Sequence, residues 1–214
     1  MSGHHREPSE ERLFFFEQQE VDVADLAGRT GDALDISGYI LDIGGGGEGI
    51  IGILGGEKVV AIDLSREELE EAPPGPLKIV MDARDLQFLD DTFGIVTAFF
   101  SLMYLKKRSD YEKVLAEIFR VLKPGGTFLI WDVVAPTQRD REKDIFVIPL
   151  RVKVKGQEIE TGYGHVWPDE KHDLPFYRAL AQDRGFQVVE QTQRERTFFL
   201  QLQKPVQQGT GRGE

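Results

Sequence analysis

Cysteine is absent from this chain of 214 residues, which excludes several kinds of covalent and metal chemistry. Disulfides, thiolate zinc sites, iron–sulfur clusters and cysteine nucleophiles all require it. Long apolar runs are also missing. The longest uncharged apolar stretch, residues 92–105, is shorter than the about 20 residues of a membrane-spanning helix. Residues 1–12 are polar and lack the apolar centre of a signal peptide. These features predict a cytoplasmic protein.

Positive charge is scarce as well. Lys and Arg number 26 against 37 Asp and Glu, a net charge of −11, which disfavours nucleic acid as a partner because phosphate binding requires a basic face. The four histidines are not spaced as metal ligands, so no metal site is predicted. The length fits one domain. We predict a disordered segment over residues 1–12, a single domain over 13–204 and a flexible tail over 205–214.

Short apolar runs alternate with amphipathic stretches, a pattern that indicates β–α–β units and a largely parallel sheet. Seven runs are predicted as strands: Tyr39–Ile43, Val59–Leu64, Leu77–Met81, Phe93–Phe100, Thr127–Trp131, Phe186–Val189 and Thr197–Leu202. The last two are too close in sequence for a crossover helix, so they are predicted to be antiparallel. The fold class is therefore α/β, a doubly wound, Rossmann-like sheet of seven strands, mostly parallel, with an antiparallel C-terminal strand.

Three helix boundaries are readable from local patterns. Ser65 and Ser109 are each followed three residues later by Glu, which fits the capping box at a helix start. A further helix over Leu174–Arg184 is predicted to end at Gly185, because glycine is the preferred residue just beyond a helix.

One segment, residues 145–164, breaks the alternation of strands and helices. Leu150, Val152 and Val154 alternate there with basic residues, a period of two that indicates β structure. Gly156 marks a turn. We predict an inserted β-hairpin after the fifth strand, leaving the sheet near the carboxyl ends of its strands, where such folds bind ligands. Its alternating charges fit a solvated face, or an edge that forms a homodimer.

The stretch after the first predicted strand is rich in glycine. Residues 44–47 are four consecutive glycines, and Gly49 follows. Such glycines let a ligand approach the backbone, and a helix that follows points free N–H groups at an anionic group. Asp63 lies 63 − 44 = 19 residues after Gly44. An acid at this distance accepts hydrogen bonds from ribose hydroxyls in dinucleotide-binding folds. The loop and the acid together indicate a cofactor that contains a nucleoside.

Two further acids help to distinguish the candidate cofactors. Asp42 lies in an apolar strand end before the glycines, where a carboxylate is a poor neighbour for a pyrophosphate and a good one for an ammonium or sulfonium group. Asp82 follows the third strand, where it can accept a hydrogen bond from an adenine amino group. An NAD(P)-dependent oxidoreductase remains the alternative enzyme, because the loop also matches the dinucleotide pattern weakly.

With these motifs in order, the chain resembles the class I S-adenosylmethionine-dependent methyltransferases. The regions similar to the family's four motifs are Ile40–Gly49, Val59–Ser65, Val80–Phe93 and Phe119–Leu129. The resemblance implies S-adenosylmethionine as cofactor and S-adenosylhomocysteine as product. It also implies cofactor contacts from Asp42, Gly44, Gly45, Gly46, Gly47, Gly49, Asp63, Leu64, Asp82, Ala83, Phe100 and Ser101.

The methyl acceptor is narrowed mainly by absences. The residues after the fourth strand lack the Asn/Asp-Pro-Pro-Tyr motif of amino-group methylation on nucleic-acid bases, and the charge also favours a small molecule. The candidate catalytic residues, as orienting groups or bases, are Tyr104, Asp132, Tyr163 and His165. Each also fits a purely structural role. A domain that binds S-adenosylmethionine without catalysis is the non-enzyme alternative.

Overall fold

A seven-stranded sheet forms the centre of the molecule, in a computed structural model that describes residues 12–23, 38–135, 143–168 and 171–206. In chain order the strands are β1 (Leu13–Phe15), β2 (Gln19–Asp22), β3 (Ile40–Ile43), β4 (Val59–Asp63), β5 (Leu77–Val80), β6 (Phe93–Phe99), β7 (Leu122–Val133), β8 (Ile145–Val154), β9 (Gln157–Val166), β10 (Gln187–Arg194) and β11 (Thr197–Gln203). The helices are α1 (Ile50–Gly55), α2 (Arg66–Glu71), α3 (Arg108–Val121) and α4 (Leu174–Arg184).

The strand order of this sheet is β10–β11–β7–β6–β3–β4–β5. Neighbours pair in parallel, except that β11 is antiparallel to both β7 and β10. The predicted mostly parallel sheet with an antiparallel C-terminal strand is confirmed. β7 begins at Leu122 rather than at the predicted Thr127, because Leu122 pairs with Phe93 of β6 and the two glycines of the Pro-Gly-Gly turn bond the backbone of Lys204. Gly125 donates to the Lys204 carbonyl at 2.8 Å, and Lys204 donates to the Gly126 carbonyl at 2.9 Å.

One face of the sheet is covered by α3 and α4, which bury an apolar cluster with strand residues such as Leu41, Ile62 and Phe128. α4 ends at Gly185, as predicted, where a φ of 105° suits glycine. α3 begins at Arg108, so the capping box predicted at Ser109 is wrong: that serine already lies in the first helical turn.

The opposite face is covered by a second, smaller sheet together with α1. β8 pairs antiparallel with β9 on one edge, and in parallel with β1 and then β2 on the other. Apolar residues of β8 alternate inward and pack against the large sheet; they are Phe146, Ile148, Leu150, Val152 and Val154. A doubly wound sheet has helices over both faces, so this sheet-on-sheet packing departs from the expected arrangement. The apolar face of β8 requires a partner surface, and the large sheet provides it.

The outer face of the β8–β9 hairpin carries exposed ion pairs. Arg151 pairs with Glu160 at 3.0 Å, and Lys153 lies 3.9 Å from Glu158. Exposed pairs of this kind contribute little to stability, so the apolar face holds the hairpin in place.

Parts of the predicted terminal segments, residues 1–11 and 207–214, lie outside the described residues. Arg12, where the description begins, forms an ion pair with Asp144 just before β8. Within the described part of the chain, no helix has both the length and the apolar character needed to cross a membrane.

Candidate active site

The glycine loop joins β3 to α1 at the carboxyl edge of the large sheet. The amides of Gly44 and Gly45 both donate to the carbonyl of Ile62, at 2.8 and 3.0 Å. A Cβ on Gly44 would lie 2.3 Å from the Cβ of Ser101, and the φ of Gly44 is 71°. The neighbouring atoms of the same chain therefore require glycine at position 44. The sequence pattern alone does not reveal this reason for the glycine.

The second half of the loop folds against α2. The amide of Gly47 donates to the carbonyl of Glu68 at 2.9 Å, and a Cβ on Gly46 would lie 2.5 Å from the Cβ of Glu68. Gly49 then precedes α1 with a φ of 55°. The structure thus brings the five predicted glycines into one tight turn between β4, α2 and the residues after β6.

Asp42 lies beneath this turn. Its side chain is buried and accepts a hydrogen bond from the Thr97 hydroxyl at 2.7 Å. Burial raises the pKa of Asp42 to about 7, the Thr97 hydrogen bond lowers it, and the negative charge of Asp63 raises it further. The partner that a buried carboxylate requires is therefore Thr97, which sequence reasoning did not identify.

Asp63 ends β4 beside the loop. One carboxylate oxygen accepts the amide of Ser65 at 2.8 Å, and a Cβ on Gly46 would lie 3.1 Å from the other oxygen. The hydroxyl of Ser65 accepts the amide of Glu68 at 3.2 Å, which confirms the predicted cap of α2. Leu64, which follows Asp63, is 65% exposed.

Asp82 is hydrogen-bonded to Arg84. Its carboxylate accepts hydrogen bonds from Arg84, the shortest at 2.7 Å from the guanidinium, and these lower the pKa of Asp82. Ala83 is partly buried between the two. An adenine amino group at this position would share Asp82 with Arg84, a partner that the sequence reading did not consider.

Phe100 and Ser101 form the wall opposite the loop. The Ser101 hydroxyl donates to the carbonyl of Ile43 at 2.6 Å and so holds the end of β3. Phe100 is buried and has a φ of 49°, a left-handed conformation that is uncommon for an aromatic residue. This conformation turns the chain sharply after β6, next to the predicted cofactor loop.

The hairpin meets the glycine loop through Glu48, a residue absent from the predicted site. The Thr161 hydroxyl donates to one carboxylate oxygen of Glu48, and the Tyr163 hydroxyl donates to the other at 3.0 Å. The ring of Tyr163 stacks on Phe100, with centroids 5.2 Å apart and planes inclined by 4°. In the sequence, the signal for the role of Glu48 was that it is a single charged residue between Gly47 and Gly49.

Tyr104 and His165 lie together beside this contact, with ring centroids 5.4 Å apart. Burial raises the pKa of Tyr104 to about 12, and the negative charges of Asp132, Glu68 and Glu48 raise it further. Nδ1 of His165 is 2.8 Å from the carbonyl of Val166, and burial lowers the pKa of this imidazole. Three predicted catalytic residues, Tyr104, Tyr163 and His165, therefore converge where the hairpin meets the loop after β6.

Asp132 is buried in the core, behind the residues that precede Tyr104. It has no exposed surface, accepts the amide of Val133 at 2.8 Å and accepts the Tyr177 hydroxyl at 3.3 Å. Burial raises its pKa to about 7. Tyr111 adjoins this group, and its hydroxyl is 3.1 Å from Nδ1 of His172. Asp132 thus belongs to a buried polar network that positions the residues after β6, including Leu102 and Met103.

The charges around the glycine loop are negative. Asp42, Glu48, Asp63 and Glu68 surround it, and burial together with the neighbouring carboxylates raises the pKa of Glu68. Crowded carboxylates favour a positively charged ligand and disfavour a phosphate. The residues present therefore fit a cofactor that carries an ammonium and a sulfonium group, and they do not fit a pyrophosphate.

Comparison with known proteins agrees with this geometry. Residues 41–130 match the family model described as a methyltransferase domain. The chain is 32% identical over 116 residues to the sterol 4-C-methyltransferase strm-1 of Caenorhabditis elegans, covering 50% of this chain and 31% of that protein. It is 28% identical over 176 residues to the ubiquinone/menaquinone biosynthesis C-methyltransferase UbiE of Salmonella paratyphi B, covering 78% of this chain and 67% of that protein.

A solved structure shares the fold. The S-adenosylmethionine-dependent methyltransferase from Methanosarcina mazei superposes with a TM-score of 0.57 at 19% identity, covering 79% of this chain and 93% of that one. The chain spans about a third of the sterol relative's length, so the match concerns a domain rather than that whole protein. The residues matched by the methyltransferase-domain model begin in β3, end in β7 and enclose the strands around the glycine loop, so this likeness concerns the part of the chain that forms the candidate site.

Proposed function

We propose that this protein transfers the methyl group of S-adenosylmethionine to a small-molecule acceptor. The observation that carries the proposal is the group of carboxylates around the glycine loop, which suits a cationic cofactor. When bound, S-adenosylmethionine supplies an electrophilic methyl group on a positively charged sulfur. The protein's task is then to hold the acceptor in line with that methyl group.

Cofactor binding is assigned to the loop and the strand ends around it. We assign the amino-acid part of the cofactor to residues 44–49 above Asp42, and the ribose hydroxyls to Asp63. Leu64 and Ala83 offer apolar surface for the adenine ring, and the high exposure of Leu64 supports this role. Phe100 and Ser101 complete the wall by supporting the loop from the opposite side.

The acceptor is assigned to the side covered by the hairpin. Tyr104, Tyr163 and His165 converge there, whereas the buried Asp132 has no surface to offer an acceptor. Two relatives are named for sterol methylation and for ubiquinone/menaquinone biosynthesis, which favours an apolar small molecule. We propose that the hairpin covers the acceptor and excludes water from it.

Calorimetric titration with S-adenosylmethionine, S-adenosylhomocysteine, NAD⁺ and NADP⁺ tests the cofactor. We expect binding of the two adenosyl compounds only. Binding of a nicotinamide cofactor alone would instead support the oxidoreductase alternative, and failure of all four would reject the proposal. Transfer of a tritiated methyl group to a panel of small apolar acceptors then separates an enzyme from a domain that only binds the cofactor.

A variant of Asp63 tests the ribose assignment. We expect Asp63→Ala to weaken S-adenosylmethionine binding by about 1–3 kcal/mol, because hydrogen bonds to a charged group are lost. Glu57→Ala is the matched control, since this exposed acid precedes the opposite end of β4. Equal affinity of the two variants would contradict the assignment, whereas wild-type binding would still support the cofactor.

A further inference from the structure

A cavity of about 100 Å³ lies beside the convergent residues and has His165 in its wall. Apolar side chains form most of its described wall, among them Met103, Phe146 and Trp167. Three basic side chains, Lys106, His165 and His172, also line it. This combination of an apolar interior with basic groups has no role in cofactor binding as assigned above.

We propose that this cavity is the acceptor subsite and that it takes a single apolar ring bearing an ionisable hydroxyl group, a phenol-type acceptor. His165 receives the hydroxyl proton, and Lys106 stabilises the resulting anion. That the ring is a methyl acceptor rests on the proposed function. The binding and ionisation of the ring do not, because they require only the residues of the cavity.

The size of the cavity sets the size of the ring. A cavity of about 150 Å³ lined by aliphatic and aromatic side chains binds benzene. The present cavity, at about 100 Å³, is smaller, so it can take no more than one ring, and any larger substituent must extend toward its mouth. Stacking and edge contacts from Phe146 and Trp167, whose rings are 5.4 Å apart, favour a flat apolar group.

The hydrogen bonding of His165 leaves one nitrogen available as a base. Because a carbonyl only accepts, Nδ1 donates its proton to Val166, and Nε2 carries the lone pair in the neutral ring. Burial lowers the pKa of the His165 imidazole, the Val166 hydrogen bond raises it and the charge of Lys106 lowers it again, so the net shift favours the neutral ring. Neutral Nε2 is the form that accepts a proton.

The other groups that face His165 are compatible with an anion. Tyr104 contacts its ring, and burial together with nearby carboxylates keeps the phenol of Tyr104 protonated. His172 shares the cavity and is 3.1 Å from the Tyr111 hydroxyl through Nδ1. Among the described residues of the cavity wall there is no Asp or Glu, so Lys106 meets an incoming anion without a competing carboxylate there.

The proton step balances within the site. The O–H bond of the acceptor breaks, its electron pair stays on oxygen, and Nε2 of His165 gains the proton. The imidazolium later returns that proton to water. Because His165 charges while the ring loses a proton, ionisation on the protein releases no proton to the buffer.

The probe for this site is 4-nitrophenol, whose anion absorbs visible light, and 4-nitroanisole is the probe that cannot ionise. We expect the wild-type protein to bind both and to lower the pKa of bound 4-nitrophenol by about one unit or more, as a nearby cation does. Lys106→Met is expected to abolish the shift and to retain 4-nitroanisole binding. Lys107→Met removes the adjacent exposed lysine, which does not line the cavity, and is expected to behave as wild type.

Calorimetry in buffers of different ionisation enthalpy locates the proton. With wild-type protein at a pH where free 4-nitrophenol is neutral, we expect ionisation with no proton released. With His165→Gln we expect each bound anion to release about one proton. Failure of wild type to bind either probe, binding without the absorbance shift, or release of a proton by wild type would each overturn the proposal. S-adenosylmethionine titration of the same samples reports separately on the proposed function.

Discussion

At the scale of single residues, the site depends on the protein atoms packed against the glycine loop as much as on the side of the loop that faces a ligand. Four glycines in a row suggest a surface left open for a ligand. The structure adds a second cause, because Ser101, Ala61 and Glu68 approach the loop so closely that a Cβ would collide with them. Sequence reasoning identified where the loop lies, but not these neighbours, because they come from distant parts of the chain.

Gly44 provides a test of this packing. We expect Gly44→Ala to lower the free energy of unfolding by about 2–4 kcal/mol, from left-handed strain and from a collision with Ser101. Gly94→Ala is the control, because a Cβ there meets nothing within 4 Å and φ is not positive. Urea unfolding of both variants measures the difference. If the two lose the same free energy, close packing at Gly44 is not the reason for its glycine.

Asp42 makes stability depend on pH. Its pKa is about 7 in the folded protein against an ordinary value of 3.8, so the folded state holds the proton more tightly. The stabilisation from this proton is complete below the ordinary value and is lost as the pH rises through about 7. We expect the free energy of unfolding to fall between about pH 4 and pH 7, and Asp42→Asn to reduce that fall.

Urea unfolding across this pH range measures the slope. Part of the slope remains in Asp42→Asn, because Asp132 has a similarly raised pKa of about 7. Asn keeps an oxygen that accepts from Thr97, so the hydrogen bond at 2.7 Å has a substitute. Glu57→Gln is the control, because Glu57 is an exposed acid, and this variant is expected to keep the wild-type slope. A slope unchanged in Asp42→Asn would show that this carboxyl titrates normally.

At the scale of elements, local patterns predicted strands better than they predicted contacts between elements. The apolar runs located all seven strands of the large sheet, and the period of two located the apolar side of β8. Glu48 was missed because its importance depends on Thr161 and Tyr163, more than a hundred residues away. The cap at Ser109 was predicted wrongly because Lys107 already accepts the first helical hydrogen bonds.

The contact between hairpin and loop predicts how the cofactor is held. We expect Tyr163→Phe to raise the dissociation constant of S-adenosylhomocysteine about tenfold, because Glu48 loses a hydrogen bond while the ring still stacks on Phe100. Calorimetric titration measures the change. Lys153→Met, on the solvated face of the same hairpin, is the control and is expected to bind as wild type. Equal affinities for all three proteins would mean that the hairpin does not support the loop.

At the scale of the whole molecule, the hairpin has two roles that are physically linked. Its inner face completes the core over the large sheet, and its end bonds the glycine loop. The seven-stranded sheet was predictable because each strand carries its own apolar signature. The pairing of β1 and β2 with β8 was not, because it joins two strands of three and four residues to one about 130 residues later.

The N-terminal strands are expected to stabilise the whole molecule from one edge of β8. Phe14 and Phe16 pack on Trp167, and Arg196 lies 4.6 Å from the ring of Phe16, so this segment joins the hairpin to the β10–β11 turn. We expect deletion of residues 1–23 to lower the melting temperature by about 6–12 °C and to promote association through the exposed edge of β8.

Deletion of residues 1–11 is the control, since it leaves β1, β2 and these aromatic contacts in place. Thermal melting and size-exclusion chromatography distinguish the two deletions. If the protein without residues 1–23 has the melting temperature of the wild type and the same oligomeric state, β8 needs no partner on that edge. In that case the apolar face of β8, and not its backbone pairing, holds the small sheet against the large one.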